Sequence, residues 1–345
     1  MKSKIFKFVE KFKIFLPISI AIILTGIILI CTIGMNVGLD FSGGAQLTVT
    51  FGEFENAEEQ NQVYELVEKT IKENKFEIGS VRWANDNVNG TSCEIGIEYK
   101  YDGKEIDAST EELQDQFLES INGKEGVDDT ESLKYKIMTA VNSQYSKFEL
   151  DNDSFKSRIV QADTARKLLE NAIWATAVAV VAILIYIALR FTLTSGISAI
   201  LALLHDVLVM FSLVTIFQIQ INTTFIAAII TVVGYSINAT IVIFDRIREI
   251  KKLPSMEKAT DVEIANMAVS NTLSRSILTT ITTLVTILAL SVVCAIMGVS
   301  TMLEFALPIM FGLLAGFYSS VFLSASTWVY IQKLANKIKT KRKKA

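Results

Sequence analysis

Six long apolar runs dominate this sequence of 345 residues and decide what it can fold into. A helix rises about 1.5 Å per residue, so about 20 apolar residues cross the hydrocarbon core of a bilayer. The mean hydropathy of +0.41 agrees with a chain that is largely embedded in a membrane. We therefore predict a polytopic α-helical membrane protein with six transmembrane helices, at about residues 14–34, 171–189, 195–217, 223–244, 276–297 and 304–330.

Lysines precede the first apolar run, as they do in a signal peptide. The run is longer than a signal-peptide core and no small-residue cleavage site follows it, so we predict a retained helix. Basic residues favour the cytoplasmic side, and loops 218–222 and 298–303 contain none. The basic residues flanking the spans are Lys2, Lys4, Lys7, Lys11, Lys13, Arg246, Arg248, Lys251, Lys252, Lys258, Arg275, Lys333, Lys337, Lys339, Lys341, Arg342, Lys343 and Lys344. With six spans, this distribution predicts that both termini are cytoplasmic.

The segment between the first two spans, residues 36–168, is polar and acidic. It holds 27 of the 36 acidic residues and 14 of the 33 basic ones, a net charge of −13. Strand-like alternation and helix-like spacing are mixed along it, which predicts a small exported α+β domain. Its dispersed carboxylates are interpreted as solvated surface. The predicted strands are Ala45–Phe51, Cys93–Tyr101 and Phe155–Val160, and the predicted helices are Asn56–Lys75, Thr110–Ile121 and Thr130–Tyr145.

The organisation that follows has four parts: the N-terminal tail with the first helix at 1–35, the exported domain at 36–168, helices two to six at 169–330, and a basic tail at 331–345. One His and three separated cysteines, Cys31, Cys93 and Cys294, provide no zinc-ligand spacing and no disulfide framework. No G-x-x-x-x-G-K-[ST] motif is present, so ATP hydrolysis is not expected. We expect no metal, no cofactor and no enzymatic activity.

His205 and Asp206 lie near the middle of the third predicted span. An ionisable side chain in the hydrocarbon is costly, so each is by default a functional candidate. Ser198, His205 and Ser212 recur every seven residues and form a polar stripe on one side of the helix. Two interpretations stay open: a functional site, or a hydrogen-bond cluster that only joins helices.

The fourth and fifth spans carry further polar residues. Asn238 and Asp245 share one face of the fourth span, and Asp245 is close enough to the cytoplasmic end of this span to form an interfacial ion pair instead of a functional site. Arg275 opens the fifth span and is followed by Thr279, Thr282 and Thr286 at helical spacing. These threonines either form a polar stripe or hydrogen-bond to their own helix.

The sixth span holds small residues at a helix-packing spacing. Gly312-x-x-x-Gly316 lets two membrane helices approach closely, and Ser319 and Ser320 follow it. We interpret this motif as packing, and Glu304 at the outer end of the span as interfacial.

Several motifs, in a fixed order along the chain, resemble those of the SecD/SecF family in the RND transporter superfamily. The run after the first span, Gly38-Leu39-Asp40-Phe41-Ser42-Gly43-Gly44, is similar to the GLDFxGG signature of that family. The resemblance covers all six spans, and only the exported domain is weakly matched. The other matching runs are His205-Asp206-Val207, Val233-Gly234-Tyr235-Ser236-Ile237-Asn238, Ile243-Phe244-Asp245-Arg246-Ile247-Arg248-Glu249 and, in the form typical of the SecF branch, Thr272-Leu273-Ser274-Arg275-Ser276.

The resemblance implies a function in Sec-dependent protein export in the bacterial cytoplasmic membrane. The implied partners are SecD, which supplies six further spans, the SecYEG channel and the translocating preprotein, together with membrane lipids and no nucleic acid. Proton flow at the SecD interface is implied to move the exported domains, and Arg275 to pair with an acid of SecD. The implied candidates for the proton path or its coupling are Arg275, Asp206, His205, Asn238 and Asp245.

Two positions depart from the family pattern. The family usually has Asp after Gly-Tyr-Ser-(Ile/Leu)-Asn, whereas this chain has Ala239, which cannot carry a proton. Residues 159–163 replace a stretch that is rich in Val and Gly in the family. The sequence therefore does not determine whether a hinge joins the domain to the membrane helices. Two rival functions are therefore retained: half of an RND-type exporter of lipids or small molecules, and a scaffold subunit for SecD that carries no protons.

Overall fold

The computed structural model describes residues 6–86, 90–106, 110–123, 129–296 and 300–342. Its helices are α1 (Phe12–Thr32), α2 (Leu39–Ser42), α3 (Ala57–Glu73), α4 (Glu111–Asn122), α5 (Leu133–Gln144), α6 (Ala162–Arg190), α7 (Leu193–Ile216), α8 (Thr223–Lys251), α9 (Asp261–Ile296), α10 (Ser300–Tyr318) and α11 (Ala325–Arg342). Its strands are β1 (Gly44–Thr50), β2 (Phe76–Asp86), β3 (Gly90–Tyr101), β4 (Lys104–Glu105) and β5 (Phe155–Val160). A π-helical segment, Ser319–Ser324, joins α10 to α11.

The six predicted spans are confirmed, because six helices in the described ranges are long and apolar enough to cross a membrane. Two of them begin earlier than their apolar runs, α6 at Ala162 and α9 at Asp261. The added turns carry charged residues and hydropathy does not detect them. The predicted domain boundary at 168 therefore lies inside α6. Outside the described residues lie Lys2, Lys4, Lys343, Lys344 and part of the predicted loop 298–303.

The predicted α+β domain is confirmed, and its sheet has the strand order β2-β3-β1-β5, with all neighbours antiparallel and β4 paired to β3. The three predicted strands are present with small shifts at their ends. The sequence patterns predict no strand at residues 76–86. This prediction is wrong, because β2 occupies these residues. Strand β2 has register irregularities between Phe76 and Ser80, and these interrupt the alternation by which a strand is recognised.

Helices α3, α4 and α5 pack on one face of this sheet and give the domain a hydrophobic core of its own. Alternate residues of the central strands, such as Leu47 and Ile95, are fully buried on that face. The helix residues that meet them are Val63, Val67, Ile71, Phe117, Ile121, Leu133, Ile137 and Val141. Each helix is capped at its N-terminus by a side chain that accepts a backbone N–H bond, namely Asn56, Thr110 and Ser132.

The first connection between the domain and the membrane helices is held by backbone hydrogen bonds. Gly38 N–H donates to the carbonyl of Ile221 at 2.8 Å, and Ile221 N–H donates to the carbonyl of Asn36 at 2.8 Å. The carboxylate of Asp40 accepts from the Thr223 hydroxyl at 2.9 Å, at the first residue of α8. The family motif after the first span thus fastens the domain to the start of the fourth span.

The second connection, between β5 and α6, is a single residue. Strand β5 ends at Val160 and α6 begins at Ala162, so no flexible hinge separates them. Gly43 permits this close junction, and Gly44 permits the close approach of β1 to β3 beside it. A Cβ on Gly43 would lie 3.2 Å from the Cα of Ala162, and one on Gly44 would overlap the carbonyl oxygen of Ile97. Both glycines also have positive φ angles, +70° and +138°, which residues with a Cβ rarely adopt.

Small residues bring the membrane helices into close contact. A Cβ on Gly312 would overlap Val232 of α8, and a Cβ on Gly316 would lie 3.2 Å from the Cβ of Ser236. The packing interpretation of Gly312-x-x-x-Gly316 is therefore confirmed, with α8 as the partner helix.

Candidate functional site

Asp206 lies about halfway along α7 and its side chain is fully enclosed. Its Oδ2 accepts hydrogen bonds from the hydroxyls of Ser236 on α8 and of Ser319 in the π segment, the latter at 2.9 Å. Its Oδ1 lies 2.9 Å from Nδ1 of His205. Polar groups from three segments therefore surround a carboxyl group at a depth where an unpartnered charge is costly.

His205, the neighbour of Asp206, has one ring nitrogen that lacks a hydrogen-bond partner among the residues described. The imidazole stacks on the ring of Tyr318, with 6.1 Å between ring centroids. Its Nε2 is buried and has no hydrogen-bond partner within the described residues. A neutral imidazole has one donor and one acceptor nitrogen, and here only the nitrogen that faces Asp206 has a partner in the described ranges. The structure thus brings the two predicted residues into direct contact inside the helix bundle.

The π segment explains how Ser319 reaches Asp206. Such segments add one residue to a helical turn and are frequent at functional sites. In the same segment, the Ser320 hydroxyl lies 3.2 Å from that of Thr240, and all three serines, including Ser324, are fully buried. The contact of Ser319 with Asp206 is not predicted by the packing motif that Ser319 and Ser320 follow, because residue spacing does not reveal a π turn.

Asn238 and Arg275 lie elsewhere, on an uncovered face of α8 and α9. Both residues are exposed, and neither side chain has a hydrogen-bond or ion-pair partner in the part of the chain that the structure describes. Near them, the Tyr235 hydroxyl donates to that of Thr280 at 3.0 Å and joins the two helices. Because α8 and α9 run in opposite directions, Asn238 and Arg275 lie on the same side of this contact, within about one and a half turns.

Small and hydroxyl-bearing side chains line the rest of this face. A Cβ on Gly234 would meet no atom within 4 Å. Each of three threonine hydroxyls donates to a carbonyl of its own helix at 2.9 Å, which is the second of the two interpretations given above. The exposed residues of this kind are Ala227, Thr231 and Gly234 on α8, and Thr279, Thr282 and Thr286 on α9, and exposed apolar residues such as Ile230 and Leu278 lie on the same two helices. Faces of this composition allow another membrane helix to approach closely.

Ala239 lies at the border of this face and is partly buried. A methyl group thus occupies the position where the resemblance described above leads us to expect a carboxylate, and the uncovered face contains the Arg275 guanidinium without an acid opposite it in the described residues.

Asp245 belongs to neither group, since it lies near the end of α8. Its carboxylate is 2.8 Å from the guanidinium of Arg190 and 3.0 Å from that of Arg248. This is the interfacial ion pair given above as the alternative. Arg190 was missed because it lies between the second and third spans, far from Asp245 in sequence.

No group of three or more His, Cys, Asp or Glu side chains in the described residues is placed to hold a metal ion. Burial raises the pKa of the Cys93 thiol to about 12, so this cysteine remains protonated in the domain core.

Comparison with known proteins agrees with the order of the motifs. The family model of the protein export membrane protein SecD/SecF, C-terminal, matches residues 140–334. This chain belongs to the SecD/SecF family. A second model, the SecD/SecF GG motif, matches residues 28–53 and so includes Gly43 and Gly44.

Members of the SecD/SecF family similar to this chain are found as short and as long proteins. Protein translocase subunit SecF of Sebaldella termitidis is 32% identical over 325 residues, which are 94% of this chain and 91% of that protein. Protein translocase subunit SecDF of Bacillus subtilis is 30% identical over 323 residues, but this chain covers only 37% of its length. The crystal structure of SecDF from Thermus thermophilus, a translocon-associated membrane protein, matches with a TM-score of 0.65 and 25% identity, over 95% of this chain and 39% of that one.

Proposed function

We propose that the chain is the SecF-type subunit of the Sec protein-export machinery and works with a SecD-type partner. The observation that carries this proposal is the uncovered face with Asn238 and Arg275. A guanidinium keeps its proton, so within the hydrocarbon Arg275 needs a carboxylate or a wet cavity. A second six-helix unit that offers an acid to this face supplies both cover and charge. The SecDF relatives, of which this chain matches little more than a third, have length for such a unit.

The partner interface is tested with two leucine substitutions. In Gly234→Leu the added Cβ lies in open space on the uncovered face, so we expect the fold to remain and binding of the partner to be lost. Ala182→Leu, at an exposed position of α6, is the matched control. The measurement is copurification of SecD from membranes at equal levels of the two variants. Equal copurification of SecD with both contradicts the proposed interface.

Proton motive force is the proposed energy source. Ala239 cannot bind a proton, so the proposed carriers are the acid of the partner opposite Arg275 and the buried pair of His205 and Asp206. Protonation of the partner's acid weakens its attraction to Arg275 and allows the two units to shift. The competing function, a scaffold that carries no protons, is favoured by Ala239 alone.

Proton flux separates the two functions. The SecD-type partner and this chain are placed together in vesicles, and flux is compared between wild type and Arg275→Ala. A coupled subunit loses flux in the variant, whereas a scaffold retains it. Arg275→Lys, which keeps the charge but not the planar fork of donors, serves as an intermediate variant.

The orientation proposed is that both termini are cytoplasmic and the acidic domain is outside. Reporter fusions at Ala108 and Ala345, two positions outside the described residues, are expected to report opposite sides of the membrane. Finding both reporters on one side contradicts this orientation. The membrane in question is proposed to be the bacterial cytoplasmic membrane.

The exported domain is proposed to contact the preprotein as it leaves the SecYEG channel. Weak contacts with an unfolded chain need no deep pocket, and an acidic, solvated surface is consistent with them. Photocrosslinkers at exposed positions, for example Glu58 and Glu112, are expected to capture a stalled preprotein. Failure to crosslink when the channel is engaged favours the scaffold function.

A further inference from the structure

A cavity of about 740 Å³ lies where α6 ends and α7 begins, between this turn, the end of α8 and α11. Its charged lining residues are Arg190, Arg248, Lys251, Lys252 and one acid, Asp245. The function proposed above uses none of this cavity.

The carboxylates around the cavity are already neutralised. Asp245 is held between two arginines, and Lys251 pairs with Asp261 at 2.9 Å. Lys252 forms no ion pair within the described residues. The four basic side chains that line the cavity therefore exceed the two carboxylates, Asp245 and Asp261, by two positive charges. Its electrostatic potential therefore favours an anion.

Two further features of the wall favour an anion at a membrane interface. Helix α7 begins at Leu193 with no side chain capping its first N–H groups, so the positive end of a 24-residue helix faces this region. Trp328 lines the cavity and is only 2% exposed, with the ammonium of Lys251 4.6 Å from its ring centroid. Tryptophan beside cations is typical of the level of lipid headgroups.

The apolar surroundings indicate that the anion is attached to acyl chains. Leu189 is 85% exposed and Leu193 is 81% exposed, and in sequence they flank Arg190 at the turn between α6 and α7. We propose that the cavity binds the phosphate headgroup of an anionic phospholipid, with its acyl chains against Leu189 and Leu193. Basic pockets between membrane helices recognise such headgroups, and a free phosphate gains nothing from the two leucines.

Native mass spectrometry of the full-length protein in detergent tests this site. The probes are dioleoylphosphatidylglycerol, dioleoylphosphatidylcholine and inorganic phosphate. The test variant is Arg248→Gln with Lys252→Gln. The control variant is Lys333→Gln with Lys337→Gln, which removes the same charge from α11 outside the lining of the cavity. Each basic residue near an anionic lipid strengthens binding about fivefold, so we expect about 25-fold weaker binding of phosphatidylglycerol in the test variant and less than threefold in the control.

Each other outcome overturns the proposal. Equal weakening in both variants shows that the whole basic surface attracts the lipid without a defined site. Equal binding of the phosphatidylcholine probe shows that the negative charge is not recognised. Competition by inorganic phosphate at the concentration of the lipid shows that the site takes a free anion. The thermal unfolding midpoint without added lipid confirms that both variants are folded.

Discussion

Replacing Asp206 measures how much the buried carboxyl group contributes to the fold. In Asp206→Ala, the hydroxyls of Ser236 and Ser319 and the ring nitrogen of His205 lose their shared partner. Hydrogen bonds between membrane helices contribute on average about 0.6 and at most about 1.7 kcal/mol each. Ser319 limits the loss, because its hydroxyl already lies 3.3 Å from the carbonyl of Gly316. Three contacts and a small cavity predict a loss of about 2–4 kcal/mol in the free energy of unfolding.

Asp206→Asn keeps the shape of the side chain and one acceptor oxygen but cannot ionise. We expect it to cost about 1 kcal/mol or less in the free energy of unfolding and to remove the proton-dependent part of export. Ser291→Ala is the control, because this buried hydroxyl bonds only to the carbonyl of Ile287 in its own helix. The assay is reversible unfolding of the full chain in mixed micelles. Equal losses in the two Asp206 variants, or less than about 0.5 kcal/mol in Asp206→Ala, would refute the energetic argument.

Three further predictions concern Gly44 at the start of β1, the charged residues Arg275 and Asp245, and Ala239. Gly44→Ala should lower the free energy of unfolding by about 2–5 kcal/mol, because the added Cβ overlaps the carbonyl oxygen of Ile97. Gly52→Ala, where the added Cβ lies in open space, should change this free energy by less than about 0.5 kcal/mol. Thermal unfolding of the two variants measures the difference. Arg275→Ala should impair export more than Asp245→Asn, because Asp245 lies near water and between its own arginines; equal export at equal membrane levels contradicts this. Ala239→Asp should leave the amount of folded protein unchanged, since the site borders an uncovered polar face, and a loss of folded protein in membranes contradicts this.

The fold was predictable wherever one physical requirement determined the pattern. Hydrocarbon thickness sets the length of an apolar run, so all six spans could be located from sequence. The same rule cannot find the first turns of α9, where Ile264, Ala265, Ala268 and Val269 are buried against other helices outside the apolar run. Strand β2 was missed because its irregular register interrupts the alternation that marks a strand.

The candidate site was predictable residue by residue, but not as an arrangement. Asp206 and Arg275 were recognisable because charge in hydrocarbon is costly. That Asp206 faces inward and Arg275 outward depends on how four helices pack, which heptad spacing within one helix does not determine. Ser319 reaches Asp206 only through the π segment, and Arg190 reaches Asp245 only through the fold.

The one-residue junction at Gln161 has a mechanical consequence. A flexible linker absorbs a pulling force as loss of its own conformational entropy. Here β5 continues into α6 across a single residue, and the backbone bonds of Gly38 hold the other connection to the start of α8. The domain and these two helices therefore form a stiff lever. A force applied to the sheet would therefore act as a torque on α6 and α8, and a rotation of these helices would displace the domain in return.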